Sequence, residues 1–262
     1  MVEEQETTRS ARPGAEQPLP PCCPIVELRQ YTLHPGQRDV LIDLFDREFI
    51  ETQEALGMTV IGQFRDLDDP NRFVWLRGFQ NMPSRAQALA AFYGGPVWKA
   101  HREAANATMI DSDNVLLLRP AFPDAGFPFD TRDRPPVDAR DVPRGLVVAT
   151  VSYLQSPAAA DFAGFFNQTI APLLVGAGAS ILARFVTESH PNDFPALPVR
   201  EGEQVFVWFS RFPDREAYDQ HLATLTQSSG WRHDVSAALA HRLKRAPEVL
   251  KLMPTARSVL HG

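Results

Sequence analysis

Cysteine is nearly absent: the 262-residue chain has two, Cys22 and Cys23, side by side. Adjacent cysteines seldom bridge each other, and there is no third, so a disulfide framework and a cysteine-based zinc pattern are excluded. That scarcity fits a reducing compartment, and a cytoplasmic location is expected. No apolar run approaches the roughly 18 residues that a membrane-crossing helix requires, so no membrane partner is expected. A basic excess is lacking too: 26 Lys and Arg against 32 Asp and Glu give a net charge of -6. Nucleic-acid binding needs a concentrated basic face and is excluded as a main role; the charge reads as a solubility feature.

Signatures of known chemistry are missing as well. None of the seven histidines (34, 101, 190, 221, 233, 241, 261) forms a H-E-x-x-H or H-x-H pair, so no metal site is expected. The chain has neither the phosphate-cradling G-x-x-x-x-G-K-[ST] nor the nucleophile elbow G-x-S-x-G. Gly176-Ala177-Gly178 lies between a helix and a strand. Phosphate cradling needs strand, loop, then helix, so this is a helix stop. No cofactor is expected. Residues 1–24 carry Glu3, Glu4, Glu6 and Glu16 and no apolar core; they read as a disordered tail rather than a targeting segment. The two cysteines fall in that tail, with no histidine to activate a thiolate.

What is present is a repeated pattern. Ile25 to Leu33 alternates, with Ile25, Glu27, Arg29, Tyr31 and Leu33 on one face of a strand. Pro35-Gly36 ends it, and residues 37–56 form a helix whose Leu41, Leu44, Phe45 and Phe49 make one apolar stripe, stopped by Gly57. Strands at 58–65 and 72–79, helices from Pro83 to 107 broken at Gly94-Gly95-Pro96, and a strand at 115–119 complete a βαββαβ unit. Residues 121–144 are a proline-rich linker. The unit then returns. Phe162, Phe165, Phe166, Ile170, Gly178 and Phe185 repeat Leu41, Leu44, Phe45, Phe49, Gly57 and Phe64 at an offset of 121. Beyond an insertion around residues 189–195 the offset is 133, pairing Trp75 with Trp208 and Trp98 with Trp231. Ordered matches of this kind are the mark of a tandem duplication. The expected fold is α+β: tandem ferredoxin-like repeats, 25–120 and 145–262, packed sheet to sheet around a barrel-like core.

Glu-Leu-Arg-Gln-Tyr-Thr-Leu-His-Pro-Gly (27–36) resembles the opening motif of the NIPSNAP family. Gly-Met-x-x-x-Gly (57–62), Val-Trp-Leu (74–76) and Phe-Tyr-Gly-Gly-Pro-Val-Trp (92–98) resemble the rest of that domain. The resemblance covers about residues 25–120; the second half keeps the shape without the motif. It implies a dimeric α/β-barrel of the ferredoxin-like superfamily, which includes oxygenases, haem-handling proteins and proteins of unassigned activity.

Glu27, Arg29 and Tyr31 form the strongest polar cluster, an acid, a guanidinium and a phenol spaced along one strand face. If that face is the inter-sheet interior, they line a cavity. They bind a ligand there, or Glu27 pairs with Arg29, extended to Arg65 or Arg77, and fixes the docking of the sheets. Aligning Pro35 with Pro157 gives apolar counterparts, Ala149 and Val151, in the second half. Any site is therefore expected in the first half, with Trp75, Tyr93 and Trp98 as walls and His101 at a pocket edge or on the surface beside Trp98. Three functions follow: a small-molecule binding protein, a cofactor-independent monooxygenase-like enzyme using Glu27 or His101 as base, or a structural and interaction protein. Free sheet edges would allow a homodimer.

Overall fold

The computed structural model describes residues 22–128, 134–155 and 159–261; of the tail expected over 1–24, residues 1–21 lie outside the described residues, as does Pro157. The first half runs β1 (Ile25–Leu33), α1 (Arg38–Leu44), a π-helical turn (Phe45–Phe49), α2 (Ile50–Ala55), β2 (Thr59–Asp66), β3 (Arg72–Phe79), α3 (Met82–Gly94), α4 (Pro96–Asn106) and β4 (Met109–Pro120). The second runs β5 (Leu146–Tyr153), α5 (Ala159–Phe165), a π-helical turn (Phe166–Ile170), α6 (Ala171–Gly176), β6 (Ser180–Thr187), β7 (Val205–Phe212), α7 (Arg215–Gln227), a third π-helical turn (Gly230–Val235), α8 (Ser236–Arg242) and β8 (Glu248–Pro254).

Local chemistry sets the element ends. Asn81 caps α3: its Oδ1 accepts from the Ser84 amide, and Ser84 Oγ accepts from the Asn81 amide in return. Asp214 does the same for α7 through the Ala217 amide. Gly57 and Gly178 close their helices at φ +87° and +98°, the left-handed conformation in which a Cβ is strained.

The strands are antiparallel, in the order β4-β1-β3-β2 in the first half and β8-β5-β7-β6 in the second. The halves also join at their edges. β2 pairs with β8 through Phe64 and Pro254, and β4 pairs with β6 through Leu118 and Thr187. The eight strands thus close into one barrel, in keeping with the barrel-like core expected from the sequence, and the edge pairings β2 with β8 and β4 with β6 are what close it. Closure leaves none of these sheets a free edge, so a homodimer would have to use another surface.

Each strand has one face in the barrel and one under the helices. Inside the barrel lie Val26, Leu28, Val74, Leu76, Leu116, Val147, Ala149, Val151, Val207 and Leu250. The helical layer of the first half packs Leu41, Phe45, Phe49, Phe92 and Leu89 on Tyr31, Phe73 and Trp75; that of the second packs Phe162, Phe166 and Ile170 on Phe206 and Trp208. A fully buried side chain of this kind contributes about 1.5–3 kcal/mol. The proline-rich stretch is not detached from the core, since Phe127 enters the barrel against Phe185 and Phe209. Nor is Cys23 part of a loose tail. It is buried in the barrel cluster, and the Cys22 amide donates to Phe127 O at 3.0 Å.

Cys23 sits against Gly78, where an added Cβ would collide with its Sγ and Cβ and approach Ile61 Cδ1 to 3.3 Å. Gly78→Ala is therefore expected to cost about 1–3 kcal/mol by overpacking. The measurement is the urea midpoint at constant slope; an unchanged midpoint would mean that the Cys23 segment yields freely.

Candidate functional site

The helix-facing side of β1 carries the charge. Glu27, Arg29 and Tyr31 share their face with Ile25 and Leu33, which pack under α1 and the first π-helical turn. Val26 and Leu28, between them, point into the barrel. The polar residues thus lie in the sheet–helix layer, not in the inter-sheet interior. A strand has two faces, and alternation alone does not say which one meets the other sheet.

Glu27 is 0% exposed and is surrounded by guanidiniums. Arg29 Nη1 donates to its Oε2 at 2.8 Å and Arg77 Nε to the same oxygen at 2.7 Å, while Arg85 Nε donates to Oε1 at 2.7 Å. β3 brings Arg77 directly opposite Glu27, and α3 lowers Arg85 onto the pair from above. All three arginines are buried. Arg29 Nε donates to Tyr31 OH at 3.0 Å, Arg77 Nη1 to Gln53 Oε1 at 3.1 Å. Arg85 Nη1 reaches into the second half, to Asn192 Oδ1 at 3.1 Å and to the Asp193 carboxylate. Three positive charges thus meet two negative ones, an excess of one. The guanidiniums of Arg29 and Arg77 also lie over Trp75, 5.6 and 5.1 Å from the ring centre.

Beside Arg29 is an aromatic enclosure. Tyr31 meets Trp75 edge-on at 5.9 Å, Phe45 meets Trp75 at 4.7 Å, and Tyr93 meets Trp98 at 4.9 Å. Phe49 and Phe92 close the gap between them. The cavity inside is about 30 Å³, room for about one water.

Residues 26–122 match the NIPSNAP family model. The segment that matches thus contains Glu27, Arg29, Arg77, Arg85 and the aromatic enclosure, but not Asp193. A putative monooxygenase from Lactobacillus acidophilus NCFM is similar in structure over 88% of this chain and 94% of its own, at 13% identity and a TM-score of 0.52. A putative monooxygenase from Fusobacterium nucleatum subsp. nucleatum ATCC 25586 is similar over 90% and 93%, at 10% identity and 0.52. A NIPSNAP family protein from Agrobacterium tumefaciens str. C58 covers 37% of this chain and 91% of its own, at 23% identity and 0.34. No curated protein matches the chain. At these identities the likeness is one of fold.

The electrostatics of this cluster follow from burial and pairing. Burial by itself would raise the Glu27 carboxyl. Arg77, Arg29 and Arg85 together outweigh it and hold Glu27 well below the usual carboxylate range. Burial opposes the charge on Arg29, but Tyr31 and Glu27 beside it keep the guanidinium firmly protonated. Burial raises the Tyr31 phenol against the pull of Arg29, so it stays neutral. A carboxylate held ionised by three arginines has little affinity for a further proton, which removes Glu27 as a base.

Of the residues singled out from sequence, Glu27, Arg29, Tyr31 and Trp75 come together on adjacent strands, and Tyr93 and Trp98 close over them from the helices. His101 stands outside the enclosure, with its Nε2 3.5 Å from Glu48 Oε2 and its ring on Phe49. Arg65 is not part of the cluster; it pairs with Asp39 at 2.8 Å. Arg85, Gln53, Asn192 and Asp193 were not anticipated. Arg85 had a readable signal, because it precedes Ala88, Leu89 and Phe92 at helical spacing on the buried side of α3.

Proposed function

We propose that this chain binds a small molecule through its NIPSNAP domain, in the layer between sheet and helices, with Arg29 and Tyr31 as the polar anchors. A nearly filled layer with Glu27 paired to arginine would, taken alone, favour a purely structural role. The observation that weighs against it is the second half. There the positions opposite Trp208 and Ser210 are Thr150 and Val148, just as Arg29 and Glu27 stand opposite Trp75 and Arg77. The counterparts of Glu27, Arg29, Tyr31 and Arg77 are Val148, Thr150, Ser152 and Ser210; those of Gln53 and Arg85 are Leu174 and Tyr218. All six are buried and none is charged. The same layer therefore packs without ions. Burying a charge cluster is costly, and the fold does not require it, so its use lies elsewhere.

These matches, with π-helical turns and positive-φ glycines at the same offset of 121, support reading the halves as diverged copies, one of them keeping the site. The sequence alignment through Pro157 was one residue out: Ala149 and Val151 face the barrel with Leu28 and Gln30. The ligand this site suits has an aromatic body and an oxyanion or carbonyl oxygen for Arg29, whose planar fork holds such oxygens bidentately. It enters by displacing Tyr93 or Trp98, the two partly exposed rings. A cytoplasmic location accords with the free thiols of Cys22 and Cys23.

A second reading, a monooxygenase-like enzyme, draws on the fold likeness. It would need a base at the ligand, and with Glu27 committed it falls to His101, which must first leave Glu48.

The test is Arg29→Met, read with 8-anilinonaphthalene-1-sulfonate, an aromatic anion, as probe and tryptophan fluorescence as readout. Affinity is expected to fall at least about tenfold, roughly 1.4 kcal/mol. The fold should survive because Glu27 keeps Arg77 and Arg85. A large loss of stability with unchanged probe binding would overturn the reading, and native mass spectrometry of the purified chain would show any ligand carried through purification.

A further inference from the structure

On the other oxygen of Glu27, away from Arg29, the cluster meets a second and much larger space. A cleft of about 700 Å³ opens between the start of β1, the start of α3 and the second-half segment 188–193. That segment belongs to the insertion between β6 and β7, residues 188–204, where the connection between β2 and β3 is only residues 67–71. Its walls are largely apolar, with Ile25, Met82, Pro83, Ala86 and Pro191. Asn192 and Asp193 stand on the same lining.

Asp193 is the group that balances Arg85 from outside the NIPSNAP domain. Its side chain is 25% exposed while Arg85 is 0% exposed. The match is incomplete: Arg85 Nη2 and Asp193 Oδ2 are both buried without a hydrogen-bond partner. Without Asp193, three buried guanidiniums would share the single carboxylate of Glu27. A buried cation in that position attracts any carboxylate that can reach it.

We infer that Asp193 is an internal stand-in for the head group of a ligand, and that the cleft binds an amphipathic carboxylate. Its carboxylate displaces Asp193 from Arg85, and its apolar body lies against Met82, Pro83 and Ala86. The volume suits a body of small-molecule size. Displaced Asp193 moves into water, which a side chain already one quarter exposed does at little cost. Loop 188–193 then acts as an internal competitor, so the native chain binds more weakly than the cleft alone would. This site contacts neither Arg29 nor the aromatic enclosure, although Arg29 contributes to the positive excess around Glu27.

The test uses decanoate as probe and decanol as its uncharged match, measured by calorimetry on the full chain. Asp193→Asn keeps the hydrogen-bonding shape and removes the competing charge. Decanoate affinity is expected to rise at least tenfold in Asp193→Asn, with decanol unchanged. Equal gains for decanoate and decanol would overturn the proposal, as would absence of decanoate binding to both chains. Should Asp193→Asn fail to fold alone, Ala86→Phe fills the cleft without touching Arg85. Decanoate should then raise the thermal midpoint of the native chain and not that of Ala86→Phe; an equal rise in both would overturn the proposal. Trp98→Ala, which opens the aromatic enclosure without removing any charge of the cluster, should weaken 8-anilinonaphthalene-1-sulfonate and leave decanoate binding unchanged, which separates failure here from failure of the aromatic site.

Discussion

Glu27→Gln should lower the stability of the chain by about 3–5 kcal/mol, the cost of leaving buried charges without their partner. The substitution keeps the size and shape of the side chain. It removes the one negative charge that Arg29, Arg77 and Arg85 share. Asp193 remains for Arg85 but does not touch the other two. The effect carries a pH signature. Glu27 is held below its ordinary value of 4.5, so its contribution is fully present above that value. It is lost progressively as pH falls below about 4.5 toward the lower folded value. Asp46 acts in the opposite sense. Burial, against the pull of Arg257, pushes it up to about 6, so its ionisation weakens the fold as pH rises through 6. Comparing native and Glu27→Gln chains cancels Asp46. The gap between their urea-unfolding free energies should be constant from pH 7 to 5 and should shrink below about 4.5. A gap under 1 kcal/mol at pH 7 would mean that the three guanidiniums find other partners, and the cluster as described would be wrong.

Much of this architecture is legible in the chain because packing demands periodic residues. Phe45 and Phe166, Gly57 and Gly178, and Trp75 and Trp208 hold matching places in the two halves. A barrel-like core is legible, but the edges that close it are not, since Phe64 with Pro254 and Leu118 with Thr187 are contacts between distant strands with no pattern of their own. For the site, alternation along β1 grouped Glu27, Arg29 and Tyr31 but could not choose between barrel and helical layer. A fully buried guanidinium leaves no hydropathy mark of its own; only the helical spacing of Arg85 with Ala88, Leu89 and Phe92 places it on the buried side of α3. Asp193 was beyond reach for a simpler reason. It comes from an insertion 108 residues away from Arg85, and nothing local to Ser189–Pro195 announces a partner in the other half.

A variant that removes the whole cluster should behave unlike one that breaks it. Glu27→Leu, Arg29→Met, Arg77→Met and Arg85→Met together keep near-native volume and leave no buried charge behind. Asp193, at the cleft wall, can turn to solvent. Exchange of a buried ion cluster for apolar residues of similar size is commonly neutral or stabilising by about 1–4 kcal/mol. The second half supplies a precedent inside the same molecule: Val148, Thr150, Ser210 and Tyr218 fill the equivalent layer without charge. The quadruple variant is therefore expected to unfold at a denaturant midpoint equal to or above that of the native chain, several kcal/mol above Glu27→Gln. It should lose 8-anilinonaphthalene-1-sulfonate binding at the aromatic site and decanoate binding at the cleft. That combination, stability kept and both affinities gone, is what separates a binding cluster from a clasp. If the quadruple variant instead falls as far as Glu27→Gln, the ions hold the helices to the sheet, and the charge in the first half is structural.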